Sequence, residues 1–120
     1  QFVDDLIETA EASGFLIHNE DNMDMAYTFG RHGVEVAQGF DLQMMQICKP
    51  EKAAMSLSKN PERAVLMPKF IMVFSQNGRT QIRFLHYSEA AVRRVVDDAE
   101  FPGSLVESFE QIIALIEDAR

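Results

Sequence analysis

The sequence predicts an α+β domain with a mainly antiparallel sheet covered by helices, and three observations carry that prediction. Gln76-Asn77-Gly78-Arg79 separates two apolar runs, Phe70 to Ser75 and Thr80 to His86. Asn-Gly between such runs is the strongest short hairpin signal, because both central residues must take positive φ. Apolar residues recur at helical spacing near both ends of the chain, with strand-like runs between them. The resulting order of helix, strand, strand, helix, hairpin, helix, helix lacks the regular β-α-β alternation of a parallel sheet. At 120 residues without an internal repeat, the chain has the size of one domain, 1–120.

Each element has its own local warrant. Phe2, Val3, Leu6, Ile7 and Ala10 share one helical face, and Gly14 stands where a left-handed cap belongs, so a helix is predicted over 2–13. Phe15 to His18 reads as a short strand. Residues 19–39, punctuated by Gly30, Gly33 and Gly39, read as a loop long enough to serve binding. Phe40 to Ile47 is the next strand, with Leu42 and Met44 on one face and Met45 and Ile47 on the other. Pro50 suits the first turn of a helix that runs until Asn60-Pro61 stops it. Ser88 caps a helix in which Val92, Val95 and Val96 share a face. Ser104 and Glu107 form a capping box before the stripe Leu105, Phe109, Ile112, Ile113 and Ile116.

Composition excludes several classes. The formal net charge of −8, with no basic stripe, argues against nucleic acid, whose binding depends on Lys and Arg neutralising phosphates. No apolar run approaches the ~20 residues of a membrane-spanning helix, so membrane insertion is not expected. A single cysteine cannot form an internal disulfide, which suits the cytoplasm and is compatible with the periplasm. The chain begins at Gln1 inside a helical pattern, which suggests an upstream segment that was trimmed or processed.

Cys48 is the most chemically interesting position. It lies between a strand and a helix start, where backbone N–H groups and the helix dipole favour a thiolate, and Lys49 and Lys52 add positive charge. The alternative is a small buried hydrophobe at a tight junction. The same helix start, with Lys49, Lys52 and Lys69, could hold a small anion. His86 beside Tyr87 reads as a pocket rim. Met23, Met25 and Cys48, with Met44, Met45 and the three histidines His18, His32 and His86, form the softest ligand set and would select copper(I). No Cys-x-x-Cys or His-x-x-x-His spacing accompanies them, and methionine is more often core filling. Asp97, Asp98 and Glu100 read as a solvated helix end rather than calcium ligands. No cofactor motif is present.

Gly14-Phe15, Cys48-Lys49-Pro50, Leu66-Met67-Pro68 and the hairpin beyond them resemble the bacterial and archaeal family known as domain of unknown function 302. The family pattern is similar to Cys-Asn-Pro at the first site and Leu-Pro-Cys at the second. Here Lys49 stands for the Asn and Lys69 for the second Cys, which leaves no thiol pair. The resemblance implies a β-α-β4-α arrangement of the TATA-binding-protein-like class, often homodimeric. The strand before the first helix is missing from this sequence. The expected function is a small ligand- or partner-binding module, homodimeric and without catalysis. The first alternative is a thiol-dependent enzyme or redox sensor with Cys48 as nucleophile and the 19–39 loop closing over it, and the second is a copper(I)-binding protein.

Overall fold

A computed structural model describes residues 1–120. Helix α1 (Phe2–Ala12) leads into strand β1 (Leu16–Ile17), a 3₁₀ turn (Glu20–Asn22) and helix α2 (Met25–Arg31). Strand β2 (Gln43–Cys48), helix α3 (Pro50–Lys59), a second 3₁₀ helix (Pro61–Leu66), the hairpin β3 (Phe70–Gln76) and β4 (Arg79–Phe84), and helices α4 (Glu89–Val95) and α5 (Phe101–Ala119) follow. The sheet is ordered β1-β2-β3-β4 and every pairing is antiparallel. The predicted class of α+β with an antiparallel sheet and packed helices is what the chain adopts.

Helix α1 ends in a Schellman motif. The Phe15 N–H donates to Ala10 O at 2.9 Å and the Gly14 N–H to Glu11 O at 3.1 Å. This requires the φ of +85° that Gly14 adopts. Phe15 is thereby turned into the core beside Ala10. The hairpin takes positive φ at Asn77 (56°) and Gly78 (74°), the primed turn that its dipeptide predicts.

Alternation along the strands sends Met45, Ile47, Ile71 and Val73 to one face, where Leu6, Ala10, Ile112, Leu115 and Ile116 cover them. A second cluster of Val92, Val96, Phe101, Leu105 and Phe109 extends this core towards α4. Phe84 packs against both clusters and joins them.

Four readings are corrected by the structure. Residues 19–39 are not a simple loop, because Asp24 caps α2 by accepting from the Ala26 and Tyr27 amides. Val95 does not share a face with Val92 and Val96. It is exposed at the last position of α4, while the other two are spaced one full helical turn apart and point inward. The last helix does not start at a Ser104 capping box. It begins three residues earlier at Phe101, with Pro102 in its first turn, and Asp98 Oδ1 accepts from the amides of Glu100 (3.0 Å) and Phe101 (2.9 Å). Asp98 is therefore no solvated helix end.

Its carboxylate also meets a buried arginine. Arg63 Nε donates to Asp98 Oδ2 at 2.7 Å and Arg63 Nη2 to Oδ1 at 2.9 Å, a bidentate pair of the stronger kind. Asn60 Nδ2 donates to Oδ2 at 2.9 Å, and Arg63 Nη1 reaches Ser56 Oγ at 2.9 Å. The Arg63 guanidinium lies 5.3 Å from the Phe101 ring centroid. This network ties α3, the second 3₁₀ helix and the start of α5 together.

Hydrogen bonds from Arg63, then Asn60, then the Phe101 amide hold the Asp98 carboxyl well below the usual carboxylate range. A lowered folded value means that the stability Asp98 supplies is complete above its unfolded value of 3.8 and is lost as pH falls below it. Melting temperature followed against pH should therefore fall more steeply in acid for the wild type than for Asp98→Asn, and at neutral pH this variant should melt well below Asp97→Asn. Truncating the fully buried Ile71 to Ala should cost about 3 kcal/mol in denaturant unfolding.

Candidate functional site

The end of β2, the start of α3, the segment Ala64 to Lys69 and the first turns of α5 enclose a cavity of about 220 Å³. It opens past Lys49, Lys52, Ser56 and Ser104 into a wider groove that Lys59, Arg63 and Glu100 also line. Its walls are mainly apolar, with Ile47, Leu57, Met67 and Leu105 among them. Cys48, Ser56, Ser104, Ser108, Lys49, Lys52 and Lys69 supply most of the polar groups. No Asp or Glu lines the inner cavity.

Several local features aim these side chains. The Ile47 amide donates to Lys69 O at 2.9 Å, which sets the start of β3 beside the Cys48 end of β2. Lys49 is the N-cap of α3 and offers no side-chain cap, and Pro50 has no N–H. The amides of Glu51 and Lys52 consequently lack helical partners. Lys49 Nζ sits 4.7 Å over the Phe15 ring. Lys52 Nζ crosses to α5 and donates to Ser108 Oγ at 2.9 Å. Lys69 Nζ has one hydrogen bond, to Met67 O at 3.3 Å. Burial pushes the Lys69 ammonium below its ordinary value. The charge of Lys52 acts in the same direction, and a Cys48 thiolate would oppose it.

The sequence contains four lysines: Lys49, Lys52 and Lys69 line the inner cavity, and Lys59 lies on the wider groove with Lys49 and Lys52. In a chain of net charge −8, that convergence makes the inner cavity, which no carboxylate lines, a cationic concavity, while Glu51 and Glu100 line the outer groove. The arrangement can hold an anion, with unpaired helix amides adding to the lysine charges.

Cys48, Lys49, Lys52 and Lys69, expected at the site from sequence, do come together. His86 does not: it is exposed and lines neither the cavity nor the groove, stacking on Phe84 at 5.8 Å between ring centroids. The copper(I) set is split. Met44 N–H donates to Met23 O, and Met25 N–H to Leu42 O, so Met23 and Met25 lie at the beginning of β2 while Cys48 is at its end. Four residues of strand, about 14 Å at a rise of ~3.4 Å per residue, separate them, and Met23 packs on the core. The 19–39 segment sits at that same far end and contributes nothing to the cavity lining, so it does not close over Cys48. The hydroxyls of Ser56, Ser104 and Ser108 escaped sequence reading. The spacings 52, 56, 59 and 104, 108 place each set on one helical face, which is the signal that could have found them.

A family model described as a domain of unknown function, DUF302, matches residues 1–119. The chain belongs to the DUF302 family. Its fold is similar to the crystal structure of an uncharacterized conserved DUF302 protein from Bacillus stearothermophilus, with a TM-score of 0.77 at 17% identity over 99% of this chain and 88% of that one. At that identity the likeness concerns the fold alone. No curated protein matches the chain. In this DUF302 domain no helix is long and apolar enough to cross a membrane.

A partly buried ammonium without a counter-charge opposes folding. Because the folded value of Lys69 is lowered, the penalty is complete at acidic pH and lifts as pH rises towards the ordinary 10.5. Lys69→Met should therefore melt higher than the wild-type DUF302 domain, with an advantage that shrinks as thermal unfolding is repeated at increasing pH.

Proposed function

We propose that this chain is a binding module for a small anion with an apolar body, held in the lysine cavity between α3 and α5. The convergence of Lys49, Lys52 and Lys69 on one cavity that no carboxylate lines, in an acidic chain, carries the reading. A volume of about 220 Å³ lies below the ~300–1,000 Å³ usual for drug-sized ligands and suits a molecule of a few heavy atoms. The lysines supply charge, the α3 amides and serine hydroxyls supply directional donors, and the apolar walls lower the local dielectric and so strengthen both. Anions binding only the folded state raise its stability by about 2.7 kcal/mol at a hundredfold excess over Kd. Phosphate, thiosulfate and short carboxylates, titrated at constant ionic strength, should include at least one that raises the melting temperature of the wild type and not of Lys52→Met. Indifference of the wild type to all of them overturns the reading.

A second reading, thiol chemistry at Cys48, is favoured by its half-buried position in the lining of the same cavity. Anionic alkylating reagents distinguish the two. Iodoacetate should modify Cys48 faster relative to iodoacetamide in the wild type than in Lys52→Met, and a thiol that resists both reagents until unfolding is a structural one.

The module is further proposed to form a homodimer through the sheet face opposite α1 and α5. Met44, Phe70, Met72 and Phe74 alternate with the core residues and are only partly buried, and the more exposed Leu85 and Tyr87 flank a depression that Met44, Phe70 and Met72 line together with Leu66 and with Phe109 of α5. Sedimentation should give a dimer that Met72→Lys converts to monomer. A monomeric wild type removes this part and leaves the anion site intact.

A further inference from the structure

We propose that Lys69 is an imine-forming amine, and that the ligand of the cavity is a small oxo acid, an aldehyde or ketone that also carries a carboxylate. This rests on the anion-binding reading and names the ligand class for it. Three features of the site go beyond what a simple anion requires.

The first is the setting of Lys69. A lysine that only holds an anion works best as a fully charged ammonium, steadied by neighbouring acceptors. Lys69 Nζ has a single hydrogen bond, to Met67 O at 3.3 Å, and no carboxylate lines the cavity to stabilise its charge. The charged and titratable groups facing it are Cys48 from the end of β2 and Lys49 and Lys52 from α3, while α5 contributes only the hydroxyls of Ser104 and Ser108. Desolvation beside another cation is the setting in which a lysine becomes a nucleophile. The downward push on Lys69 comes chiefly from burial, which prevails over the upward pull of Cys48 and is aided by Lys52, and it accords with that geometry.

The second is a division of labour. Lys52 is held towards α5 by Ser108 and remains a cation for the carboxylate of the ligand, so the two amines need not compete for one role. The third is the apolar wall formed by Leu57, Met67 and Leu105, which limits the water that would hydrolyse an imine.

The step balances without any further reagent. The uncharged Lys69 Nζ attacks the carbonyl carbon and forms a C–N bond. The carbonyl oxygen then leaves with the two amine protons as water, and a C=N bond remains. The reaction is reversible, so the cavity would capture and release the oxo acid.

Reductive trapping tests this directly. Wild-type protein is incubated with glyoxylate or pyruvate and cyanoborohydride, and adducts at the four lysines are quantified by peptide mapping, with exposed Lys59 as internal reference. Lys69 should be modified at least about tenfold faster than Lys59 near neutral pH, since the bound oxo acid is held beside it while Lys59 meets the reagent only by chance encounter. Excess propionate should slow the labelling by occupying the carboxylate site. Lys69→Arg, which keeps the charge, should lose the fast adduct while still being stabilised by propionate. Equal labelling of Lys69 and Lys59, in a protein that anions still stabilise, overturns the imine and leaves the anion site standing. Equal labelling with no stabilisation by any anion overturns both. Mapping of the wild type decides the matter even where a variant fails to fold.

Discussion

The Arg63–Asp98 pair is the interaction on which the rest of the site depends. The cavity lies between α3 and α5, which are joined across it by the Lys52–Ser108 hydrogen bond at 2.9 Å and, where α3 ends and α5 begins, by this pair. There one carboxylate receives two arms of a guanidinium, an asparagine amide and two backbone amides of the α5 start. Buried ion pairs often contribute little net stability, because desolvation consumes the Coulombic gain, and their clearest use is to select one geometry among several. That description fits here. The pair fixes how far apart the helix bearing Lys52 and the helix bearing Ser108 stand.

It also removes a competitor. Arg63 lines the outer groove, and a free guanidinium there would bind anions bidentately and more strongly than any lysine. With Asp98 engaging it from the side, Arg63 is neutralised and the lysines dominate the interior. The charge pattern of the groove therefore follows from the clamp as well as from the lysines themselves. Glu100, about 3.8 Å from both Lys59 and Arg63, tempers the outer rim in the same way and leaves the inner cavity as the cationic part.

Much of the architecture was legible in the sequence, because it follows from local rules. The Asn77-Gly78 turn, the Gly14 cap and Pro50 at a helix start each specify their own conformation, and the alternation of Met45 and Ile47 with their neighbours sets the core face of β2. What failed was whatever depends on a distant partner. Asp98 looks like part of an acidic solvated stretch until Arg63, 35 positions away, is brought against it. Ser104 with Glu107 is a capping signal that loses to Asp98 and Pro102 upstream. Cys48, Lys49, Lys52 and Lys69 could be proposed together because two strand ends and a helix start meet there. Met23, Met25 and His86 could not be excluded by the same reasoning, since composition says nothing about which end of a strand a thioether occupies.

The unequal edges of the sheet carry a further consequence. At one margin β1 has only two residues, too short a row of free backbone groups to template another chain. At the other, β4 runs for six residues and carries Arg79 and Arg83, charges of the kind that discourage adventitious pairing. Fibre growth by strand addition requires a donor edge and an acceptor edge on every copy. This molecule has one usable margin, so backbone pairing between copies ends after a single partner, and the topology itself guards the protein against open-ended aggregation.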